Sequence, residues 1–159
     1  MCMKLEEIQY FLQEGKTIEE FVEKIDWKEF EKFVREIFSA NNFKTISNFR
    51  FKNNRRFEID LVAAKNNLVF VVDCKEWDKG RYKNSGLKKA AEDQIQRMKE
   101  LRKFLTANPI AKNRLKADSN SKFVPIIVTW YDETVSEHEN CFIVPVWKLN
   151  SFLISYSFY

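Results

Sequence analysis

Apolar residues recur along this chain at two spacings, every third or fourth position in some stretches and every second position in others. Lys4 to Gln13 is amphipathic at the helical spacing and stops at Gly15. Thr17 to Ile25 follows, and its opening Thr17-Ile18-Glu19-Glu20 has the spacing of a capping box. Asp26-Trp27-Lys28-Glu29 repeats that signal and starts a longer helix through Phe38, closed near Asn41-Asn42. At ~100° per residue, Trp27, Phe30, Val34, Ile37 and Phe38 share one stripe, with Glu31 on its edge. A carboxylate there faces the body of the protein.

From Lys44 to Lys52 the period falls to two, which predicts a strand, and Asn53-Asn54 turns the chain into the next. That second strand runs through Phe57-Glu58-Ile59-Asp60-Leu61-Val62-Ala63-Ala64. A third, Leu68 to Lys75, follows the turn at Lys65-Asn66-Asn67. Strand alternation puts Glu58, Asp60 and Val62 on one face, and Val71, Asp73 and Lys75 on another. A polar loop from Asp78 to Gly86 leads into a helix from Leu87 to about Leu105. Its stripe of Ala91, Gln94, Ile95, Met98, Leu101 and Leu105 buries Gln94, which then needs a partner, while Gln96 points outward.

Asn108 to Ser121 reads as a basic loop and Phe123 to Trp130 as a central strand. Pro125 belongs near the start of that strand, because proline cannot donate to the ladder. After an acidic loop come a fifth strand, Cys141 to Val146, and a closing helix, Trp147 to Phe158. The order predicts an α/β fold, a mixed five-stranded sheet flanked by helices over residues 26–159, behind a short helical extension at residues 1–25.

Composition narrows the function classes. With 45% hydrophobic and 31% charged residues the chain folds, and no apolar run is long enough to cross a bilayer, so a cytoplasmic protein without a membrane partner is expected. Three cysteines form no spaced pair, which argues against a disulfide framework or a thiolate zinc site, and a single His138 gives little support to a histidine triad. The net charge of +4 permits a nucleic-acid partner without demanding one.

Asp60, Asp73 and Lys75 at the ends of buried strands need a reason to be there. Metal-assisted phosphodiester cleavage supplies one: two carboxylates and the Cys74 main-chain carbonyl offer oxygen ligands to a hard cation. Lys75 can orient or deprotonate a water, and Glu31 can reach the site through a water or a second ion. Singly, each charged group has a plainer reading, a strand-end ion pair for the aspartates or a helix-surface pair with Lys28 or Arg35 for Glu31. Gln94 can equally be a structural hydrogen-bond donor. Lys52, Arg55, Arg56, Lys79, Arg81, Lys83, Lys88 and Lys89 flank these segments as candidate phosphate contacts or as solvated surface.

The blocks Phe30 to Phe38, Phe57 to Ala63 and Val72-Asp73-Cys74-Lys75-Glu76-Trp77 resemble the PD-(D/E)xK nuclease superfamily. They are most similar to Mrr-like restriction endonucleases and their archaeal relatives, which include Holliday-junction resolvases. The resemblance implies a restriction-endonuclease-like sheet and an endonuclease that hydrolyses DNA with Mg2+, with Mn2+ able to substitute. It implies Glu31, Asp60, Asp73 and Lys75 as the site, and Gln94 matches a glutamine that some branches place on the next helix. Ile59 stands where the motif's name has proline, and the second acid is aspartate where glutamate is commoner. An alternative is a non-catalytic nucleic-acid-binding or assembly module, for which Phe152, Tyr156, Phe158 and Tyr159 offer an apolar surface to a partner, a homodimer among the possibilities.

Overall fold

The structure, a computed structural model, describes residues 26–75, 84–117, 120–130, 133 and 135–156, together with positions 14 and 20. The predicted N-terminal helices, Trp77, the loop cations Lys79, Arg81 and Lys83, and the aromatic tail at Phe158 and Tyr159 lie outside the described residues. Helix α1, Trp27–Ala40, begins where Asp26 accepts the Glu29 N–H at 2.9 Å, the expected capping bond. Its stripe of Phe30, Val34, Ile37 and Phe38 is buried.

The strands are β1 (Lys44–Lys52), β2 (Arg56–Lys65), β3 (Leu68–Lys75), β4 (Lys122–Thr129), β5 (Glu137–His138) and β6 (Cys141–Pro145). They form one mixed sheet in the order β1-β2-β3-β4-β6-β5. β1, β2 and β3 make an antiparallel meander, whereas β3–β4 and β4–β6 are parallel. The sheet therefore has six strands where the sequence predicts five, because β5, two residues within the acidic loop, adds an edge to β6. Pro125 sits opposite Val71 in the β3–β4 pair, but β6 joins β4 only from Ile126 onward. Its missing donor thus falls before the strand is enclosed on both sides.

Crossover helix α2, Asn84–Ala107, begins three residues earlier than predicted. The expected basic loop after it contains a helix, α3 (Pro109–Leu115), capped by Asn108, which accepts the Ala111 N–H at 3.1 Å. Proline inside the first turn and an Asn cap are helix-start signals, and they outweigh the basic composition of that stretch. The closing helix α4 is Val146–Tyr156.

Helices α1 and α4 cover one face of the sheet. Leu61, Ala63, Phe70, Val72, Cys74, Ile126 and Val128 meet Phe30, Phe38, Leu149 and Leu153 there. On the other face α2 packs Leu101 and Leu105 onto Val62, Val69, Val71 and the hairpin residues Phe49, Phe51, Phe57 and Ile59.

This assignment corrects the predicted alternation on β2. Phe57 and Ile59 face α2, and so do Val62 and Ala64, so the inward parity slips by one residue between Ile59 and Val62. β1 slips at the matching place, between Ile46 and Phe49. Ser47↔Leu61 and Phe49↔Ile59 pair on either side, but Asn48 and Asp60 do not, and Asn48 is left-handed at φ 51°. Glu58, Asp60 and Val62 therefore do not share a face: Glu58 is exposed, Asp60 half-buried and Val62 fully buried. A slip taken by both strands together keeps the pairing register, so neither strand's pattern reveals it alone.

Candidate active site

β2 and β3 pair from Lys65↔Leu68 up to Leu61↔Val72 and then diverge. Asp60 and Asp73 are the next residues on each strand. With the ladder open, the Cys74 N–H would lose its partner, and the Asp60 carboxylate fills that role through Oδ2 at 2.9 Å. Since N–H and C=O of one residue leave an extended strand on the same side, the Cys74 carbonyl also points into this gap. Beyond it, β3 still pairs with β4 through Asp73↔Ile127 and Lys75↔Thr129. Among the described residues, Asp73 and Lys75 thus stand on a strand held by β4 on one side and left by β2 on the other.

Asp73 is 6% exposed and carries two cations. Lys75 Nζ lies 2.9 Å from Oδ2, and Arg97 on α2 donates to Oδ1 at 3.2 Å. Oδ2 is fully buried and the ammonium approaches it off the direction of a hydrogen bond, so that contact is a charge pairing and the oxygen keeps an unused lone pair. Gln94, fully buried as its stripe predicts, donates through Nε2 to the Val71 carbonyl at 2.8 Å and accepts from Arg97 at 3.1 Å. Both ends of the amide are satisfied. A chain of contacts therefore runs from the β3 backbone through Gln94 and Arg97 to Asp73 and Lys75.

Burial raises the Asp60 carboxyl above its ordinary range. The Cys74 N–H opposes this, the Asp73 charge adds to it, and Lys75 and Arg97 pull it back. Glu31 on α1 is also raised, first by burial and then by the charges of Asp60, Glu58 and Asp73. Glu31 thus senses the charges of Asp60 and Asp73, and Asp60 senses that of Asp73. Even so, among the described residues no three His, Cys, Asp or Glu side chains converge closely enough to cage a metal ion. Asp60 and Asp73 are the carboxylates set directly at the gap, and Glu31 stands behind them on the helix.

Cys74 and Cys141 are buried, as expected of small apolar side chains. Burial pushes the Cys74 thiol well up and the Cys141 thiol up to about 12, so both stay protonated. Glu58 pairs with Arg50 at 3.0 Å on the surface. Trp130 packs on Phe30 with ring centroids 5.1 Å apart and fills core space. Sequence reasoning missed Arg97. Its one signal is its place three residues after the inward Gln94, where a helix brings side chains together.

A family model for the nuclease-related domain (NERD) matches residues 26–146. An uncharacterised protein of Archaeoglobus fulgidus is 34% identical over 134 residues, covering 84% of this chain and 93% of its own. A crystal structure of a protein of unknown function, AF1548, aligns with 77% of this chain at 17% identity and a TM-score of 0.41. This chain spans about half of that protein, 53% of its length. The divergence of β2 from β3, with acids at both strand ends and a lysine two residues on, lies within the matched span, and the chain belongs to the nuclease-related domain family, which has the PD-(D/E)xK-like nuclease fold.

Proposed function

We propose that this protein is a metal-dependent endonuclease acting on DNA, of the kind its Mrr-like sequence blocks suggest. The observation that carries this reading is the Asp60 carboxylate at the opening between β2 and β3, beside Asp73 and Lys75. Magnesium binds through one or two carboxylates and keeps water and phosphate oxygens on its other positions. Asp60, Asp73 and the Cys74 carbonyl fit that demand, and the unused lone pair of the buried Asp73 Oδ2 supports it. When bound there, the ion would polarise the scissile phosphate and lower the proton affinity of a water.

The chain's own groups do the rest. Lys75, 2.9 Å from Asp73, stands where it can hold a water for attack or neutralise charge developing on the phosphate. Glu31, with its raised proton affinity, accepts a proton from water more readily than an ordinary surface glutamate. Arg97 and Gln94 fix Asp73 against β3, so its carboxylate does not need ordering during turnover.

Purified protein incubated with supercoiled plasmid and Mg2+ or Mn2+ tests the reading. Nicking is expected, and it should be lost in Asp73→Asn and in Lys75→Met while both variants keep their fold. An absence of cutting on supercoiled, linear and branched DNA with either ion would sink it. The alternative of a non-catalytic module is favoured by one observation, that Lys75 and Arg97 already balance the Asp73 charge without a metal. Thermal melting with Mg2+ separates the two: a metal-binding site raises the melting temperature with ion concentration, and the Asp73→Asn variant does not.

A further inference from the structure

Between Phe38 and Phe57 the sequence carries Lys44, Arg50, Lys52, Arg55 and Arg56 and no acid. These five cations exceed the net +4 of the whole chain. The slip at Asn48 and Asp60 decides where most of them point. Phe49, Phe51, Phe57 and Ile59 turn in to α2, so Arg50, Lys52, Arg56 and Glu58 all stand on the outer face of the β1–β2 hairpin, exposed. They form two cross-strand pairs, Lys52↔Arg56 and Arg50↔Glu58, and Asp60 follows two residues beyond Glu58 on β2, at the slip itself. Three cations against one carboxylate leave the strip positive, and its one acid is spent on Arg50 at 3.0 Å.

We infer that this outer hairpin face is a docking track for the phosphate backbone of duplex DNA, leading the strand to Asp60. The track is rigid. Phe51 and Phe57 stack at 5.2 Å beneath it, and the turn is tied to α2 where Asn53 Nδ2 donates to the Glu100 carboxylate at 2.8 Å and to the Glu100 carbonyl at 2.9 Å. From Arg56 to Asp60 the strand rises about 13 Å at ~3.3 Å per residue, which matches about four base pairs of duplex. The hairpin aromatics are buried, so the described strip offers no platform on which unstacked bases could lie. A contact surface of cations without exposed rings suits backbone recognition on a duplex. Protection of an exposed sheet edge accounts for Arg50 and Lys52 on β1. Arg56 lies on the stretch of β2 that has no β3 partner, on the approach to the opening at Asp60.

This inference rests on the nuclease reading for its direction of travel, and its test separates the two. The full-length Lys52→Glu/Arg56→Glu variant and a charge-matched control, Lys116→Glu/Lys122→Glu, are titrated with fluorescein-labelled duplex DNA in EDTA across a salt series. Lys122 begins β4, at the sheet end opposite Lys75. The hairpin variant should bind at least tenfold more weakly than wild type, with the slope of log affinity against log salt reduced by about 2. The control should lose less than half of that. A Lys52→Gln/Arg56→Gln variant, with a smaller charge change on exposed positions, should fall between. Equal loss in the hairpin and control variants, or an unchanged salt slope, overturns the track. The plasmid nicking assay is run beside it: wild type that binds through the hairpin but never cuts removes the nuclease reading and keeps the track, and a hairpin variant that binds and cuts as wild type does the reverse.

Discussion

Replacing Arg97 by methionine tests whether the contacts around Asp73 act as a unit. Methionine keeps most of the apolar stem and removes the guanidinium that donates to Asp73 at 3.2 Å and to Gln94 at 3.1 Å. A hydrogen bond to a charged group contributes about 1.5–3 kcal/mol. Arg97 is 32% exposed in its side chain, and solvent screening moves the figure to the lower part of that range. Lys75 stays 2.9 Å from Asp73, so the carboxylate is not left wholly unpaired. The expected loss is about 2 kcal/mol, which lowers the melting temperature by about 4–8 °C in a chain of this length.

Urea unfolding of wild type, Arg97→Met, Asp73→Asn and the double variant closes a cycle. A coupling of about 1 kcal/mol or more between positions 97 and 73 is expected. If Arg97→Met costs less than about 0.5 kcal/mol, or costs the same with Asp73 neutralised, then Arg97 does not hold Asp73 and the proposed positioning fails. On the nuclease reading, Arg97→Lys should recover stability better than nicking, since an ammonium cannot reproduce the planar donor shared by two acceptors.

Three further outcomes are expected. Asp60 has a raised proton affinity in the folded chain, so its ionised form opposes folding at neutral pH, and that opposition fades as pH falls through its folded value. Asp60→Asn, which keeps an oxygen for the Cys74 N–H, should therefore melt above wild type at pH 7.5, and the gap should close toward pH 4; a gap that widens on acidification contradicts the assignment. Leu101→Ala, a fully buried contact between α2 and the hairpin, should cost about 2–5 kcal/mol in urea, and a loss near zero would mean that α2 does not hold the hairpin. Asn53→Ala removes both bonds to Glu100 and should speed amide exchange at the hairpin turn without changing exchange in β4, whereas uniform acceleration would point to global destabilisation.

The parts legible in the sequence were those where one local pattern decides. The α1 stripe, the turns at Asn53-Asn54 and Asn66-Asn67, and the inward Gln94 follow from periodicity and turn chemistry within a few residues. The acids at 60 and 73 stood out because charge at the end of a buried strand is costly. What escaped depends on two segments at once. The slip at Asn48 and Asp60 requires both strands to change parity together, and the bond from Asp60 to Cys74 exists because β2 leaves β3 at that level. Arg97 reads as an ordinary surface cation until α2 is laid against β3. Helix α3 was missed for a local reason, since the basic composition hid the Asn108 cap and the proline after it.

Asn48 gives this domain an unusual intolerance to regularisation. Straightening the ribbon by imposing unbroken alternation through positions 48 and 60, with no residue removed, would turn the hairpin inside out: Arg50, Lys52 and Arg56 would press against Leu101 and Leu105 while four apolar side chains met water. A redesign aimed at idealised strands would thus lose solubility before it gained stability. A β-branched residue at position 48, which resists the left-handed backbone, is the smallest change that pushes the fold in that direction.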